Sequence, residues 1–382
     1  RVRLDMIARV SADRVLLAHD VMPPLGLPEI HHATRVGFNT TQYTGTGTVI
    51  YILSREGAYL LNETTFTTDA TFEIKSNAFI VPPPADEHII YYQALVGTGD
   101  VYASKAIFVV SDAGNAYAQF LGSAGAGFES PINTPVVLQD PVYRVAPFIG
   151  ISMARPGNGN TAHFYHIDTQ RFLGWSYGTT EAARKVLTPL VDPPGALFSF
   201  QTGMELLHVE STRYSGGLVY ALLAGDDGRR VVLGINMSGN GFAQEVKYEN
   251  LDAPGLERAT AYAFHSQYPF MFYAVDNNVY LHNLGTNTTY LQAAVDLAAT
   301  EEITLLKFNL YNRINLATLA DQSEEFMARQ FELIVGSYDR ATTGVNGGRV
   351  GFYPVNGATN SLSRRIEYTG FARVADVVYR ER

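Results

Sequence analysis

Three features of the sequence predict an all-β fold, and within that class a β-propeller of seven blades. The first is a hairpin phrase that recurs. Residues 48–61 read TVIYILSREGAYLL: an unbroken apolar, β-branched and aromatic run over 49–53, a turn at Ser54-Arg55-Glu56-Gly57, and a returning run over 58–61. The phrase returns 57 residues later, from Gly57 to Gly114, as AIFVV-SDAG-NAYAQF, and again at 272–281 as FYAVDNNVYL. The second feature is spacing: about six such hairpins, each with an extra short strand nearby, as four-stranded blades require. The third is composition, with 17% charged residues, 23 tyrosines and 21 phenylalanines, which suits pleated, half-buried surfaces and not disorder.

Each element follows from local pattern. Residues 1–7 and 14–18 (RVLLA) read as short strands around the polar Ser11-Ala12-Asp13, and 21–30 is a loop broken by proline and glycine. The hairpin at 48–61 is expected to turn on a left-handed Gly57, and 71–74 reads as a further short strand. Residues 81–84 (VPPP) form a rigid link to a strand over 88–95, the second hairpin at 106–120 and a small-residue loop at 122–127. Residues 148–153 and 163–167 flank the loop Pro156-Gly157-Asn158-Gly159-Asn160 as a third hairpin. Residues 180–187 have weak helical character, ended by Pro193-Pro194-Gly195. Residues 218–223 and 230–235 flank Gly225-Asp226-Asp227-Gly228, and 259–264 precedes the hairpin at 272–281. A strand at 303–308 precedes the strongest helix signal, 320–330 (ADQSEEFMARQ), acidic first and basic later as the helix dipole prefers. Residues 331–335 and 349–353 make the sixth hairpin, and 365–368 and 374–379 are the last strands.

Six units and an incomplete start imply a seventh. The C-terminal strand (371–380) is expected to share a blade with the N-terminal strands (1–18), which closes the ring and removes exposed sheet edges. Seven units of about 55 residues agree with the observed repeat. The alternative architecture is two β-sandwich domains divided near 191–195.

A charge of −9 and scattered basic residues argue against nucleic acid, which asks for a basic stripe. The absence of cysteine excludes disulfides, thiolate metal sites and a cysteine nucleophile. No stretch of about 18 apolar residues exists to span a membrane as a helix. The chain opens inside a strand, RVRLDMIARV, and so is expected to be a mature or excised piece of a longer protein.

Chemical signals are sparse. His163 and His166 have i, i+3 spacing, but on a strand they face opposite ways and hold no zinc. His31-His32 has no third ligand at a recognisable spacing. Gly225-Asp226-Asp227-Gly228 lacks the spaced acidic series of a calcium loop and reads as a hairpin tip. Asp100, Asp112, Asp168, Asp276 and Asp376 lie near strands or turns, and glycoside hydrolysis would need two of them to converge. No GxSxG or GxxxxGK[ST] is present. Arg1, Arg3, Arg9 and Arg14 read as a solvated strand face. Trp175, the single tryptophan, sits in a glycine-flanked aromatic stretch, 173–178, read as a loop; it is either core or a stacking platform for a sugar or peptide. Of Tyr91-Tyr92, one faces the core. Asn39, Asn62, Asn236 and Asn287 open N-glycosylation triplets of the kind that arise by chance in an Asn- and Thr-rich chain. No residue is assigned to catalysis, cofactor or metal, and no particular ligand-binding residue is singled out.

Taken with the opening RLDMI, the YILSREGAYLLN hairpin, ISMARPGN with HFYHIDTQ, and the closing ARVADVVYRER, the chain resembles the C-terminal region of Bacteroidetes PKD-like family surface lipoproteins. The resemblance runs along nearly the whole chain, and its most specific piece is 51–62. It implies a lipid-anchored outer-membrane protein with immunoglobulin-like domains first and a propeller-like domain last. It further implies an accessory role beside a TonB-dependent, Sus-type importer: capture of a glycan or peptide nutrient, or scaffolding. The competing expectation is a propeller glycoside hydrolase or lyase with carboxylates at the channel mouth.

Overall fold

A computed structural model of the protein describes residues 4–11, 14–19, 30, 32–40, 48–62, 73–96, 104–120, 127–135, 142–153, 160–178, 180, 184–237, 241–310 and 328–378. Within them the chain forms a β-propeller. A two-stranded pair, β1 (Met6–Ser11) and β2 (Arg14–Ala18), comes first. Six blades follow, each a meander of antiparallel strands. Blade one is β3 (Ala33–Thr40), β4 (Thr48–Ser54) and β5 (Ala58–Asn62); blade two is β6 (Ile89–Val96), β7 (Ser104–Ser111) and β8 (Ala116–Phe120). Between them lies a single helical turn, α1 (Ile74–Asn77). Blade three is β9 (Gly150–Ile151), β10 (Thr161–His166), β11 (Arg171–Ser176) and β12 (Thr188–Pro189). Blade four is β13 (Glu205–Ser211), β14 (Leu218–Ala224), β15 (Arg230–Asn236) and β16 (Ala243–Tyr248). Blade five is β17 (Ala261–Phe264), β18 (Phe270–Val275), β19 (Asn278–Asn283) and β20 (Thr288–Leu291). Blade six is β21 (Glu301–Phe308), β22 (Glu332–Asp339) and β23 (Gly348–Asn356), with β24 (Ser361–Leu362) and β25 (Ile366–Phe371) both on β23.

The apolar runs that marked the hairpins are central strands buried on both faces. Side chains alternate across a strand, so an unbroken apolar run serves two interfaces at once. In β14, Leu218, Tyr220 and Leu222 pack towards blade five, while Val219, Ala221 and Leu223 pack towards blade three. In β7, Ile107 and Val109 meet blade one, and Ala106, Phe108 and Val110 meet blade three. In β18, Phe270, Phe272 and Ala274 meet blade six, and Met271, Tyr273 and Val275 meet blade four. Five such interblade cores run from blade one to blade six. The outer faces of blades one and six carry their own clusters, into which Leu4 and Ile7 pack from the N-terminal segment.

The first strand of each blade is the inner one. These strands lie beside one another from blade to blade: β3 by β6, β9 by β13, β13 by β17 and β17 by β21. A basic loop residue, histidine or arginine, just ahead of the inner strand pairs with an acid in the hairpin turn of the same blade. The pairs are His32–Glu56 at 2.9 Å, His88–Asp112 at 3.0 Å and Arg144–Asp168 at 3.0 Å, each spanning 24 residues. Successive pairs are 56 residues apart, from His32 to His88 to Arg144.

Several expectations are corrected. Residues 73–77 are not a strand beyond one bridge at Glu73: its carboxylate accepts from the Lys75 and Ser76 amides at 3.1 and 2.7 Å and so caps α1. Gly57 has no positive φ; the Ser54 hydroxyl closes that turn by accepting from the Glu56 and Gly57 amides at 3.0 and 3.1 Å. Gly114, its counterpart, is left-handed at φ 81°. Trp175 lies in β11 and not in a loop. The C-terminal residues do not share a strand ladder with β1 and β2. β25 adds to β23 instead, Gly370 turns the chain at φ 89°, and 372–378 runs on without strand pairing. Among the described residues, six blades of three to five strands plus the β1–β2 pair therefore stand where seven blades were expected. The termini do meet at the seam between blades six and one: Val374 and Val377 pack with Ile7, and His19 lies edge-on to Phe371. The loops at 21–29, 122–126 and 156–159, most of the helix expected at 320–330, and part of the helical stretch at 180–187 lie outside the described residues. Residues 191–195 lead from blade three to blade four, where the two-sandwich alternative placed its division.

Candidate binding surface on the inner strands

An inner strand has one paired edge and one edge turned to the axis, so its outward amides need partners that no strand supplies. The neighbouring blade supplies side chains instead. The Ile151 amide donates to Ser211 Oγ at 3.0 Å, and the Phe264 amide donates to Glu210 Oε2 at 2.7 Å. At the seam the C-terminal tail takes this part. Asp376 Oδ2 accepts from the Val36 amide of β3 at 3.0 Å, and Asp376 Oδ1 accepts from Lys307 Nζ of β21 at 2.7 Å. One carboxylate, 6% exposed, thus joins the first blade to the last.

The inner strands also carry bulges near their starts. Register slips at Ala33/Arg35, Ile89/Tyr91, Leu206/His208 and Ile303/Leu305. A bulge bends a strand and re-aims the residue that follows. Three of those residues, Arg35, Tyr91 and His208, belong to a hand-to-hand series around the inner wall. The Arg35 guanidinium lies 4.7 Å from the Tyr91 ring centre. Tyr91 meets Phe148 at 6.5 Å, Phe148 meets His208 edge-on at 5.8 Å, and His208 meets Tyr262 at 6.0 Å. Five successive blades contribute one member each. All five are half-buried. Blades cover their two faces, so the exposed part opens at the free edge, on the axis. Tyr262 is pinned by its hydroxyl on the Ala259 carbonyl at 3.0 Å, and His208 faces Glu210 at 3.3 Å. Burial works against the Arg35 charge, but Tyr91, Tyr51 and Asp376 outweigh it and hold the guanidinium above its usual pKa.

A cavity of about 800 Å³ opens at the seam, lined by Arg35, Arg55, Thr304, Phe352, Phe371 and Asp376 among others. A smaller one of about 390 Å³ lies where blades two, three and four meet, beside Asp112, Arg144 and Gln170.

The carboxylates considered for hydrolysis do not converge. Asp112 pairs with His88, whose amide and ring outweigh burial and hold it below the usual range. Asp168 is held low by Arg144. Asp276 pairs with Arg258, and Asp376 with Lys307. Asp100 lies outside the described residues. His163 and His166 do face opposite ways: His163 packs on Phe172 and Gly150, and His166 meets Thr169 at 2.6 Å. Burial lowers both pKa values, that of His163 to about 3. Among the described residues no three metal-ligating side chains come together. His32 pairs with Glu56, while His31, Arg1 and Arg3 lie outside the described residues, and Arg9 and Arg14 pair through the β1–β2 backbone. Asp227 accepts from the Arg229 amide at 3.1 Å within the expected hairpin tip. Trp175 is fully buried, its indole donating to the Arg184 carbonyl at 2.7 Å, so it is core. Tyr92 is core and Tyr91 is inner wall. Asn236 and Asn287 already donate to the Ser215 and Asn250 carbonyls; Asn62 is exposed at the end of β5, and Asn39 lies in β3. Sequence reading missed Phe148, His208 and Tyr262. Their strands are short or polar, and the 56-residue recurrence of the basic–acidic pair, which ends at blade three, points to the segment of Phe148 but not to His208 or Tyr262.

No family model matches the chain, and neither does any curated protein. Among solved structures it is similar to one titled "Structure of U3-55K", at 10% sequence identity and a TM-score of 0.46, over 91% of this chain and 87% of that one.

Proposed function

We propose that the protein is a non-enzymatic accessory protein of the cell surface that captures a nutrient on the inner wall of its propeller. The observation that carries this reading is the half-buried series Arg35–Tyr91–Phe148–His208–Tyr262, one side chain from each of five blades. Rigid aromatic faces bind sugar rings and peptide side chains through dispersion and C–H contacts at low entropic cost. The separation of Asp112, Asp168, Asp276 and Asp376 into ion pairs with different partners favours capture over hydrolysis. Following the lipoprotein resemblance, the propeller works at the outer membrane, lipid-anchored through the longer protein, and passes its ligand to a TonB-dependent Sus-type importer.

The test is a binding screen of the purified chain against glycan and peptide arrays, with incubated ligands analysed by mass. Capture without turnover, weakened at least tenfold by Phe148→Ala or Tyr262→Ala, is the expected result. Turnover would refute the capture reading. A blank screen together with co-purification on an importer would replace capture with a scaffolding role.

A further inference from the structure

Arg35 stands apart in the charge accounting of the inner wall and seam. The carboxylates around the seam cavity are taken: Asp376 by Lys307 at 2.7 Å and Asp5 by His19 at 3.4 Å. Arg373 is taken as well, by Glu302 at 2.9 Å, and the His32 ring meets Glu56 at 2.9 Å. Arg35 and Arg55 line the same cavity, and among the described residues neither makes an ion pair. The Asp376 carboxylate is near enough to favour the Arg35 charge, but it is bound to Lys307 Nζ and the Val36 amide, and the planar Arg35 fork matches a second carboxylate. The chain as a whole carries a charge of −9, so this local surplus of positive charge is not a property of the surface at large.

Two further observations bear on the ligand. Thr304, the bulge residue of β21, lines the cavity, and its buried Oγ1 has no hydrogen-bond partner among the described residues. A buried hydroxyl normally finds one, and a ligand hydroxyl can both give and accept. Phe352 and Phe371 supply apolar wall, and about 800 Å³ is the size of a small-molecule site.

We propose that the seam cavity binds an acidic sugar, a uronate whose carboxylate pairs with Arg35 and whose hydroxyls meet Thr304. Arg35 is also the first member of the aromatic series, so the inference rests on the capture reading and names its ligand class. The uronate anchors at the seam, and the rest of an oligosaccharide follows the wall towards Tyr91 and Phe148.

The experiment is calorimetric titration of the whole chain with trisaccharides of galacturonate, glucuronate and mannuronate, their methyl esters, a neutral hexose trisaccharide and an Asp-rich peptide. At least one uronate is expected to bind, at least tenfold more tightly than its ester, with Arg35→Gln abolishing that preference and Arg55→Gln reducing it about threefold. Equal binding of acid and ester overturns the proposal, and that comparison uses the unaltered protein, so it stands even if Arg35→Gln fails to fold. Arg35-dependent binding of the peptide with no uronate bound overturns the sugar assignment. Binding of the neutral trisaccharide alone, sensitive to Tyr262→Ala, overturns this proposal and leaves the capture reading intact. Failure of every probe overturns the uronate proposal, whereas the capture reading falls only with the array screen.

Discussion

Replacing Asp376 with alanine should open the seam of the ring. The side chain is 6% exposed and makes two bonds that cross between blades, to Lys307 Nζ at 2.7 Å and to the Val36 amide at 3.0 Å. Alanine removes a charge-assisted bond worth about 1.5–3 kcal/mol and leaves a backbone donor unsatisfied at a cost of about 1–3 kcal/mol. Lys307 keeps 21% exposure, so water offsets part of the loss, and the full 3–5 kcal/mol of a deeply buried broken pair is not reached. About 3 kcal/mol is the expected sum. Unfolding entropy of about 2.1 cal/mol/K per residue makes that a shift of about 4 °C for a chain of 382 residues unfolding as one unit. Asp376→Asn keeps an acceptor for Val36 and should lose about half as much. The assay is thermal unfolding of the wild type, both Asp376 variants, Lys307→Met and the double variant. A double-mutant cycle should give a coupling of at least about 1 kcal/mol. A shift below about 1 °C for Asp376→Ala, or no coupling to Lys307, would refute the idea that this carboxylate closes the ring.

Three other perturbations test separate parts of the fold. His163 and His265 are buried, and burial lowers their pKa values to about 3 and about 4, below the unfolded value of 6.5. The unfolded chain therefore binds their protons first, so their contribution is complete above about pH 6.5 and is lost as pH falls towards the folded values. The unfolding free energy from urea titration should drop by about 2 kcal/mol per histidine at pH 5, and His163→Leu should remove its share of that slope. Gly150→Ala would place a Cβ 2.1 Å from His163 Nε2, and overpacking of this kind should cost about 1–3 kcal/mol, partly recovered by His163→Ala. Arg365 holds Glu332 through Nε and Nη2 at 2.6 and 2.8 Å, and Arg365→Lys, which cannot reproduce that fork, should cost about 1–2 kcal/mol in the same denaturation assay.

The hairpins were legible because their physics is local. Central strands such as β14 and β18 are buried on both faces, so every residue is apolar and the run announces itself. The inner strands were hard to read for the opposite reason. β13 reads ELLHVES, half-buried throughout, and its apolar pattern is broken by the bulge at Leu206/His208. β9 has only two residues, and what orders it is the Ser211 hydroxyl of the next blade. Residues 374–378 look like a strand by composition, yet the β23–β25 ladder bulges at Gly370, φ 89°, and its last pair is Phe371 with Gly348. The sequence repeat was read as 57 residues from the turn glycines, whereas the charged pairs keep a spacing of 56. A basic residue and an acid 24 residues apart say nothing alone; repeated three times, they mark the inner strand that follows each basic residue in blades one to three.

The same geometry explains why the binding surface lies where the sequence is least informative. A blade's central strands must satisfy two neighbours, which leaves no freedom for polar or protruding side chains. The inner strand has one free edge, and that edge must be quieted by donors and acceptors reaching over from the adjacent blade, as Ser211, Glu210 and Asp376 do. The bulges in β3, β6 and β13 precede Arg35, Tyr91 and His208, of which Arg35 lies over the Tyr91 ring and His208 meets Phe148 and Tyr262. Between blades three and four and between blades four and five the quieting groups, Ser211 and Glu210, come from strand β13. At the seam, among the described residues, the one tail carboxylate of Asp376 serves the Val36 amide, Lys307 and the charge of Arg35 together, and Thr304 Oγ1 has no hydrogen-bond partner. The seam is thus where the described residues leave polar capacity unused, and a ligand that supplies a carboxylate and hydroxyls would bridge the first blade and the last there.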